Sequence, residues 1–470
     1  MGPGPIFLPD KYSLIVFSEQ NRLLGYDLDS PEYSKSRATP IKWGPMAEVV
    51  PFRGYRYSAD KIHEIGDVVT QPYDKISPEM YREYLERHPQ NMVHIIKNRD
   101  HQNAGSNLRQ WMQNGILKQD DSPSFYPYEQ RFEFEGQTLS RMGLIGLVSL
   151  KAGSASVKGH ERVLDEQLED RLNLIRSTES NEGLIFMLYS DPSRGVEQLL
   201  SEFKQNNTPV TELVDDYQVS HRLWQLSEPG PQQQIMETLN ALPFYIADGH
   251  HRFRSAQLYF QECQEKGWEA AAEESFDKRM IALFDMEGPG VRVLPTHRGI
   301  RNLKDFDFGT FLSRLEPHFE LQKVAGLPQL KLELEKAGTR MGLVARKDLT
   351  CYGLCLREGM RSDSTFMPTI TGPARELDVN VLHEGILSPF LGIGPRELAA
   401  ETHVDYFRER DLLVTGVEEG QYQLAFLLNP TSLKQVYEIS ERGETMPQKS
   451  TDFYPKLLTG LVLMKMEIHR

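Results

Sequence analysis

Cysteine is nearly absent from this chain. Its 470 residues hold only Cys263, Cys351 and Cys355. No CxxC pair is present, so neither a disulfide framework nor a structural zinc site is expected, and the scarcity of cysteine fits a reducing cytoplasm. Long apolar runs are missing as well. No stretch approaches the ~18 uninterrupted apolar residues of a membrane span, and no basic segment with an apolar core opens the sequence as a secretory leader would. Positive charge is also in short supply. Lys and Arg number 53 against 67 Asp and Glu, a formal net charge of −14, and such a field repels nucleic acid and anionic membranes while leaving room for a local basic pocket. Internal repeats and low-complexity tracts are lacking. What remains, 39% hydrophobic and 26% charged residues, is ordinary globular composition in a chain long enough for two or three domains.

Against that background one junction is rich in chemistry. The apolar run Phe244-Tyr-Ile-Ala247 reads as a strand and delivers the chain to Asp248-Gly-His-His-Arg-Phe253. Phe253, Ala256, Phe260 and Cys263 then recur at three- and four-residue steps, which predicts an amphipathic helix with Arg252 and Arg254 off its apolar stripe. A helix start presents unpartnered N–H groups and the positive end of the peptide dipoles, so it favours an anion. Gly249 removes a side chain where a phosphate would approach the backbone, and Arg252 offers a planar fork of donors. His250 and His251 point about 100° apart on a helix and do not suit one shared metal. Asp248 could simply cap the helix. Local physics leaves a phosphate cradle and a capped, solvated helix start both open.

Along the chain, residues 1–45 read as an irregular N-terminal extension. Residues 46–300 form a core with inserted antiparallel strands, 301–371 a small α+β insertion, and 372–470 a C-terminal α/β lobe that completes a cleft. Ser77, Pro78 and Glu79 open a helix with a hydroxyl cap and a first-turn acid. A second helix over 108–117 ends at Gly115. Strands over 125–134 and 142–150 turn at Glu135-Gly136, and Asp378 is expected to cap a helix reaching residue 387. The fold class is mixed α/β and α+β, multi-lobed, with its parts converging on one cleft.

Several motifs occur in one order: Gln-Pro-Tyr-Asp-Lys-Ile at 71–76, His160-Glu161 with Asp170-Arg171, Asp-Gly-His-His-Arg at 248–252, Pro-Thr-His-Arg at 295–298 and Met-Pro-Gln-Lys-Ser-Thr at 446–451. That order resembles the bacterial and archaeal family filed as domain of unknown function ten-fifteen, from Met46 to the C-terminus. Relatives begin near Met46, which implies that residues 1–45 are either dispensable or an upstream misread start. The resemblance names no reaction. More distantly, the 248–252 turn is similar to the phosphate-contacting segment of the superfamily that joins ParB-type nucleotide switches, sulfiredoxin and the free-serine kinases. This implies a ParB/sulfiredoxin-like nucleotide-binding core. In those kinases a Pro-His-Glu motif supplies the acid that deprotonates the substrate hydroxyl. Here Tyr73 and Asp74 stand in place of His and Glu, so Asp74 is the matching candidate base. The active-site cysteine context of sulfiredoxin and the basic DNA-binding module that accompanies ParB are both missing.

Phosphoryl transfer needs an anion cradle, a divalent cation and a group that positions or deprotonates the acceptor. The cofactor-binding candidates are Asp248, Gly249, His250, His251 and Arg252, joined by His297 and Arg298 and by Lys449, Ser450 and Thr451. The catalytic candidates are Asp74, His160, Glu161, Asp170 and Arg171. Each has a plain alternative. His160-Glu161 could be a surface cap, Asp170-Arg171 a solvated helix face, His297 a partner for a backbone group, and Lys449 to Thr451 an ordinary turn. The combined expectation is a cytoplasmic, nucleotide-dependent phosphotransferase using ATP, ADP or CTP with Mg²⁺ on a small hydroxylated metabolite. It would have no nucleic-acid or membrane partner, and its oligomeric state is not fixed. The alternative is a nucleotide-binding switch without kinase activity.

Overall fold

Glu135 and Gly136 both take positive φ, 49° and 75°, the geometry of a two-residue hairpin turn that matches strand twist. They join Tyr126–Phe134 to Gln137–Ser149 in the computed structural model of this chain. The structure describes residues 47–151, 156–161, 163, 165–336, 338 and 340–470. The expected extension over 1–45 lies outside them. Gly44–Arg470 form one unit.

The long hairpin is the middle of a nine-stranded mixed sheet among the described residues. Lys278–Asp285 pairs antiparallel with the hairpin's second strand and parallel with Ile185–Tyr189. Phe244–Asp248 then pairs antiparallel with Ile185–Tyr189. Ile185–Tyr189 and Lys278–Asp285 are buried along their whole length, as strands covered on both faces must be. On the other side of the hairpin lie Ser220–Leu223 and Thr211–Val214. A second sheet has six antiparallel strands in the order Phe319–Val324, Thr350–Leu356, Arg340–Ala345, Leu424–Leu427, His297–Ile300 and Val404–Phe407. Strands from both sides of residue 371 therefore share it. The class is mixed α/β and α+β with several sheets, none of them a closed barrel among the described residues. No helix among the described residues is long and apolar enough to cross a membrane.

Local signals act as expected where a short-range partner exists. Ser77 accepts from the Met80 amide at the start of Pro78–Arg87, and the period-3.6 residues Phe253, Ala256, Phe260 and Cys263 are all buried in the helix His250–Glu265. Two expectations need correction. The second helix begins at His101, because Asp100 caps it by accepting from the Gln102 and Asn103 amides. Asp378 is the first helical residue, and Leu377 precedes it as the cap.

The C-terminal segment reaches the nine-stranded sheet through a buried arginine. Arg141, in Gln137–Ser149, donates to Gln130 Oε1 and to the carbonyls of Tyr454 and Pro455. Its guanidinium carbon sits 4.7 and 4.8 Å from the Phe186 and Phe284 ring centroids. Gln130 in turn donates to the Lys456 carbonyl at 2.8 Å. Burial pushes Arg141 down to about 9, since its partners are neutral carbonyls. Arg141→Met preserves the stem and removes the donors, and urea unfolding is expected to show a loss of about 2–4 kcal/mol, the scale of several buried acceptors left unpaired.

Candidate functional site

Gly249 ends the strand Phe244–Asp248 at φ 100°, ψ 26° and is the N-cap of His250–Glu265 without a side-chain cap bond. A Cβ there would stand 3.2 Å from the Arg252 guanidinium, so conformation and space both call for glycine. Asp248 does not cap the helix. Its Oδ2 accepts from Arg252 Nη2 at 2.5 Å and its Oδ1 from Lys456 Nζ at 2.8 Å. Arg252 also differs from expectation: it is buried, and its Nη1 donates to the Leu184 carbonyl. The fork expected to face phosphate holds the protein's own acceptors instead. What the helix start presents is its unpartnered first-turn amides.

Lys456 Nζ also lies 3.1 Å from Asp452 Oδ1. Asp452 in turn takes Lys75 Nζ at 3.4 Å and Arg408 at 2.7 Å. Arg252, Asp248, Lys456, Asp452 and Arg408 thus form a row of alternating sign. Burial works against the charge on each carboxylate, yet Lys456 and its other cationic neighbours hold Asp248 and Asp452 well below the usual carboxylate range. Burial likewise opposes the Lys456 charge, and Asp248 with Asp452 outweighs it and raises that ammonium. Lys75 is pushed down by burial and then by Lys456.

On the other side of the helix start, His160 is buried and donates its backbone N–H to His250 Nε2 at 3.2 Å, while its own Nε2 lies 3.1 Å from Thr451 Oγ1. A His250 that accepts at Nε2 carries its proton on Nδ1, which faces Glu161 Oε2 at 3.7 Å. Burial holds His160 at about 4 and His250 well below its ordinary value, so both imidazoles are neutral. Burial raises Glu161 to about 7 against the pull of Lys449. Glu161 therefore changes charge near neutrality inside a cleft.

That cleft is a cavity of about 290 Å³ lined by Asp74, Glu161, Asp248, Gly249, His250, His251, Arg252, Lys449 and Thr451. A neighbouring cavity of about 360 Å³ shares Lys75, Lys449, Thr451 and Lys456 with it. The remaining candidates stand behind these walls. Asp170 holds His101 and Arg171, and Arg171 donates to the Ile96 carbonyl and stacks 4.1 Å from the Tyr73 ring. His297 accepts from the Leu428 amide, Arg298 donates to the Lys449 carbonyl at 2.9 Å, and Ser450 donates to the Pro447 carbonyl. Tyr73, Lys75, Lys97, Gln448 and Lys456 also line the cleft. Tyr73, Lys75 and Gln448 belong to the motifs but were not given site roles. Nothing local marks Lys97 or Lys456.

Two properties of the cleft bear on ligands. The Lys97 and Lys449 ammonium groups have no ion-pair partner within 4.0 Å among the described residues. No group of three or more His, Cys, Asp or Glu among the described residues could hold a metal ion. Asp74 and Glu161 are the cleft carboxylates outside the Lys456 row, so a hard cation would need phosphate or water oxygens to complete its shell.

A mixed α/β protein with a cation-rich cleft at a strand-to-helix turn is the class these features define. The chain belongs to the family described as "Protein of unknown function (DUF1015)", whose model matches residues 49–380. No curated protein matches it. Among solved structures it is similar to a conserved hypothetical protein from Pyrococcus furiosus, with 14% identity, a TM-score of 0.33, and coverage of 65% of this chain and 89% of that one. A free serine kinase in complex with AMP has 14% identity and a TM-score of 0.34, covering 65% and 86%. SbnI with C-terminal truncation from Staphylococcus aureus has 12% identity and a TM-score of 0.34, covering 67% and 85%.

The raised Glu161 carboxyl has a stability consequence. Its contribution is fully present below the unfolded-state value near 4.5 and is lost as pH rises through about 7. Glu161→Gln removes that loss. Its stability relative to the unmodified protein should rise by roughly 2–3 kcal/mol between pH 4.5 and 7.5 in paired urea titrations; a difference that stays flat with pH contradicts the raised carboxyl.

Proposed function

We propose that this protein is a nucleotide-dependent phosphotransferase acting on a small hydroxylated metabolite. One observation carries the reading: cavities of about 290 and 360 Å³ meet at Lys75, Lys449, Thr451 and Lys456. Two reactants can then lie side by side with the Lys449 ammonium at their boundary, where a phosphoryl group in transit concentrates negative charge.

The first-turn amides of His250–Glu265 with Lys97 and Lys449 receive the phosphates of ATP, ADP or CTP. Arg252 and Lys456 act from behind by fixing Asp248. Glu161, poised near 7, takes the acceptor proton, a role for which a pKa close to the working pH is suited. Asp74, assigned from its motif position as the base, lies exposed at the cleft and suits a Mg²⁺ escort. Asp74 would hold the cation together with water or phosphate oxygens, and the cation would offset phosphate charge.

Thermal unfolding with each nucleotide, with and without Mg²⁺, tests the binding half, because a ligand of the native state raises its midpoint. Lys449→Ala should weaken the effective nucleotide by about 1.5–3 kcal/mol. Glu161→Gln should preserve the nucleotide shift and reduce turnover about 10²–10⁴-fold in product analysis against hydroxylated metabolites. Absence of any nucleotide shift sinks the proposal, and a shift with no phosphorylated product replaces it with a nucleotide-gated switch.

A further inference from the structure

The row of alternating charges ends on Arg408, and this last member is only half used. Arg408 lies on the wall of the 360 Å³ cavity with its side chain 29% exposed. Its Nε donates to Asp452 Oδ2 at 2.7 Å, and its Nη2 lies 2.7 Å from the same oxygen. Its guanidinium carbon sits 5.4 Å from the ring centroid of Tyr454, which lines the cavity too. The fork is therefore fixed along one edge and over one face. Its Nη1 has no hydrogen-bond partner among the described residues and keeps surface open to water.

The acids of this cavity are largely committed. Asp452 serves Arg408, Lys75 and Lys456 together, and its Oδ1 is closed to solvent. Asp215 accepts from Gln71 Nε2 at 3.1 Å and from the Tyr217 and Val219 amides at 2.9 Å each, and its Oδ2 lies 3.3 Å from His221 Nε2. Glu409 lines the same wall without an ion-pair partner within 4.0 Å among the described residues. It is exposed, so water and salt screen its charge. Against it stand the open edge of Arg408 and the unpaired Lys449 ammonium. Lys449 takes a left-handed backbone, φ 58°, and its carbonyl accepts from Arg298 Nη2.

Resting on the phosphotransferase reading, we propose that this cavity holds the acceptor by an anionic group: the metabolite is a hydroxylated carboxylate or phosphate, and Arg408 selects it. The outer edge of a guanidinium presents N–H donors in the plane that two oxygens of either group require. A neutral polyol makes no use of their charge. Asp452 joins Arg408 to Lys456, and Asp248 joins Lys456 to Arg252. One row of charges thus fixes both the anion contact of this cavity and the helix start of the other.

The test uses the full chain and two matched pairs of probes, glycerate against glycerol and ribose 5-phosphate against ribose, at one ionic strength, with and without ADP. The anionic member of at least one pair should raise the unfolding midpoint saturably by about 1–4 °C, and its neutral counterpart should not. Which pair responds tells carboxylate from phosphate. Arg408→Lys keeps a cation beside Asp452 and removes the fork. It should raise the half-saturating anion concentration about 10–100-fold and leave the ADP shift unchanged. Glu409→Gln removes the opposing charge and should lower that concentration several-fold. Anionic and neutral members that act alike, or an anion response indifferent to both substitutions, overturns the proposal. An absent ADP shift beside an Arg408-dependent anion response sinks the nucleotide reading and leaves the anion site standing.

Discussion

The buried ammonium of Lys456 is the constraint on which the cleft depends. An isolated ammonium in the interior costs several kcal/mol, and it is tolerated when opposite charges and good geometry replace water. Asp248 and Asp452 supply both at 2.8 and 3.1 Å. The two acids come from different parts of the fold. Asp248 ends a strand of the nine-stranded sheet, and Asp452 opens a strand that pairs with Arg292–Leu294. Lys456 is stable only when both are in place, so a single side chain registers the helix start against the C-terminal segment. Arg141 and Gln130 hold the same segment by its carbonyls, which fixes the ammonium from behind.

This arrangement explains how an acidic protein can carry a local basic site. Within the row Arg252, Asp248, Lys456, Asp452 and Arg408, charges largely cancel one another, and little of that row is left for a ligand. The field felt in the cleft then comes from Lys97, Lys449 and the helix start, opposed by Asp74 and Glu161. Burial determines which of these groups respond to pH. The neutral imidazoles of His160 and His250 are structural hydrogen-bonding groups at neutrality, and Glu161 is the member that gains or loses a proton there.

The sequence was legible where a residue's partner lies within a turn or two. Ser77 caps its own helix, Glu135-Gly136 turn their own hairpin, and the spacing of Phe253, Ala256, Phe260 and Cys263 assigns their buried face. The motif order brought Asp74, Glu161, the 248–252 turn, Lys449 and Thr451 to one cavity. The same order also included His297, Arg298 and Ser450, whose chemistry is spent on backbone groups. Sequence cannot separate these sets, because a histidine that holds an amide and one that faces a cleft are the same letter. Lys456 was missed for a related reason. Its partner Asp248 is 208 residues away, and no local pattern announces that a lysine will be buried. Arg252 was read as a phosphate contact off the apolar stripe because a helical stripe describes one apolar contact surface, whereas this helix also packs a polar side inward.

The strand Leu424–Leu427 lies inside the six-stranded sheet, between Arg340–Ala345 and His297–Ile300. The lysine wall at 449–456 follows it in sequence. Both lie beyond residue 380, where the family match ends. During synthesis, therefore, the strand His297–Ile300 leaves the ribosome well before the neighbour it needs, and exposes an unpaired edge in the interval. The cleft's two halves are made far apart in time: its helix start is synthesised as half a site, and the lysine wall at 449–456 follows only after Leu424–Leu427.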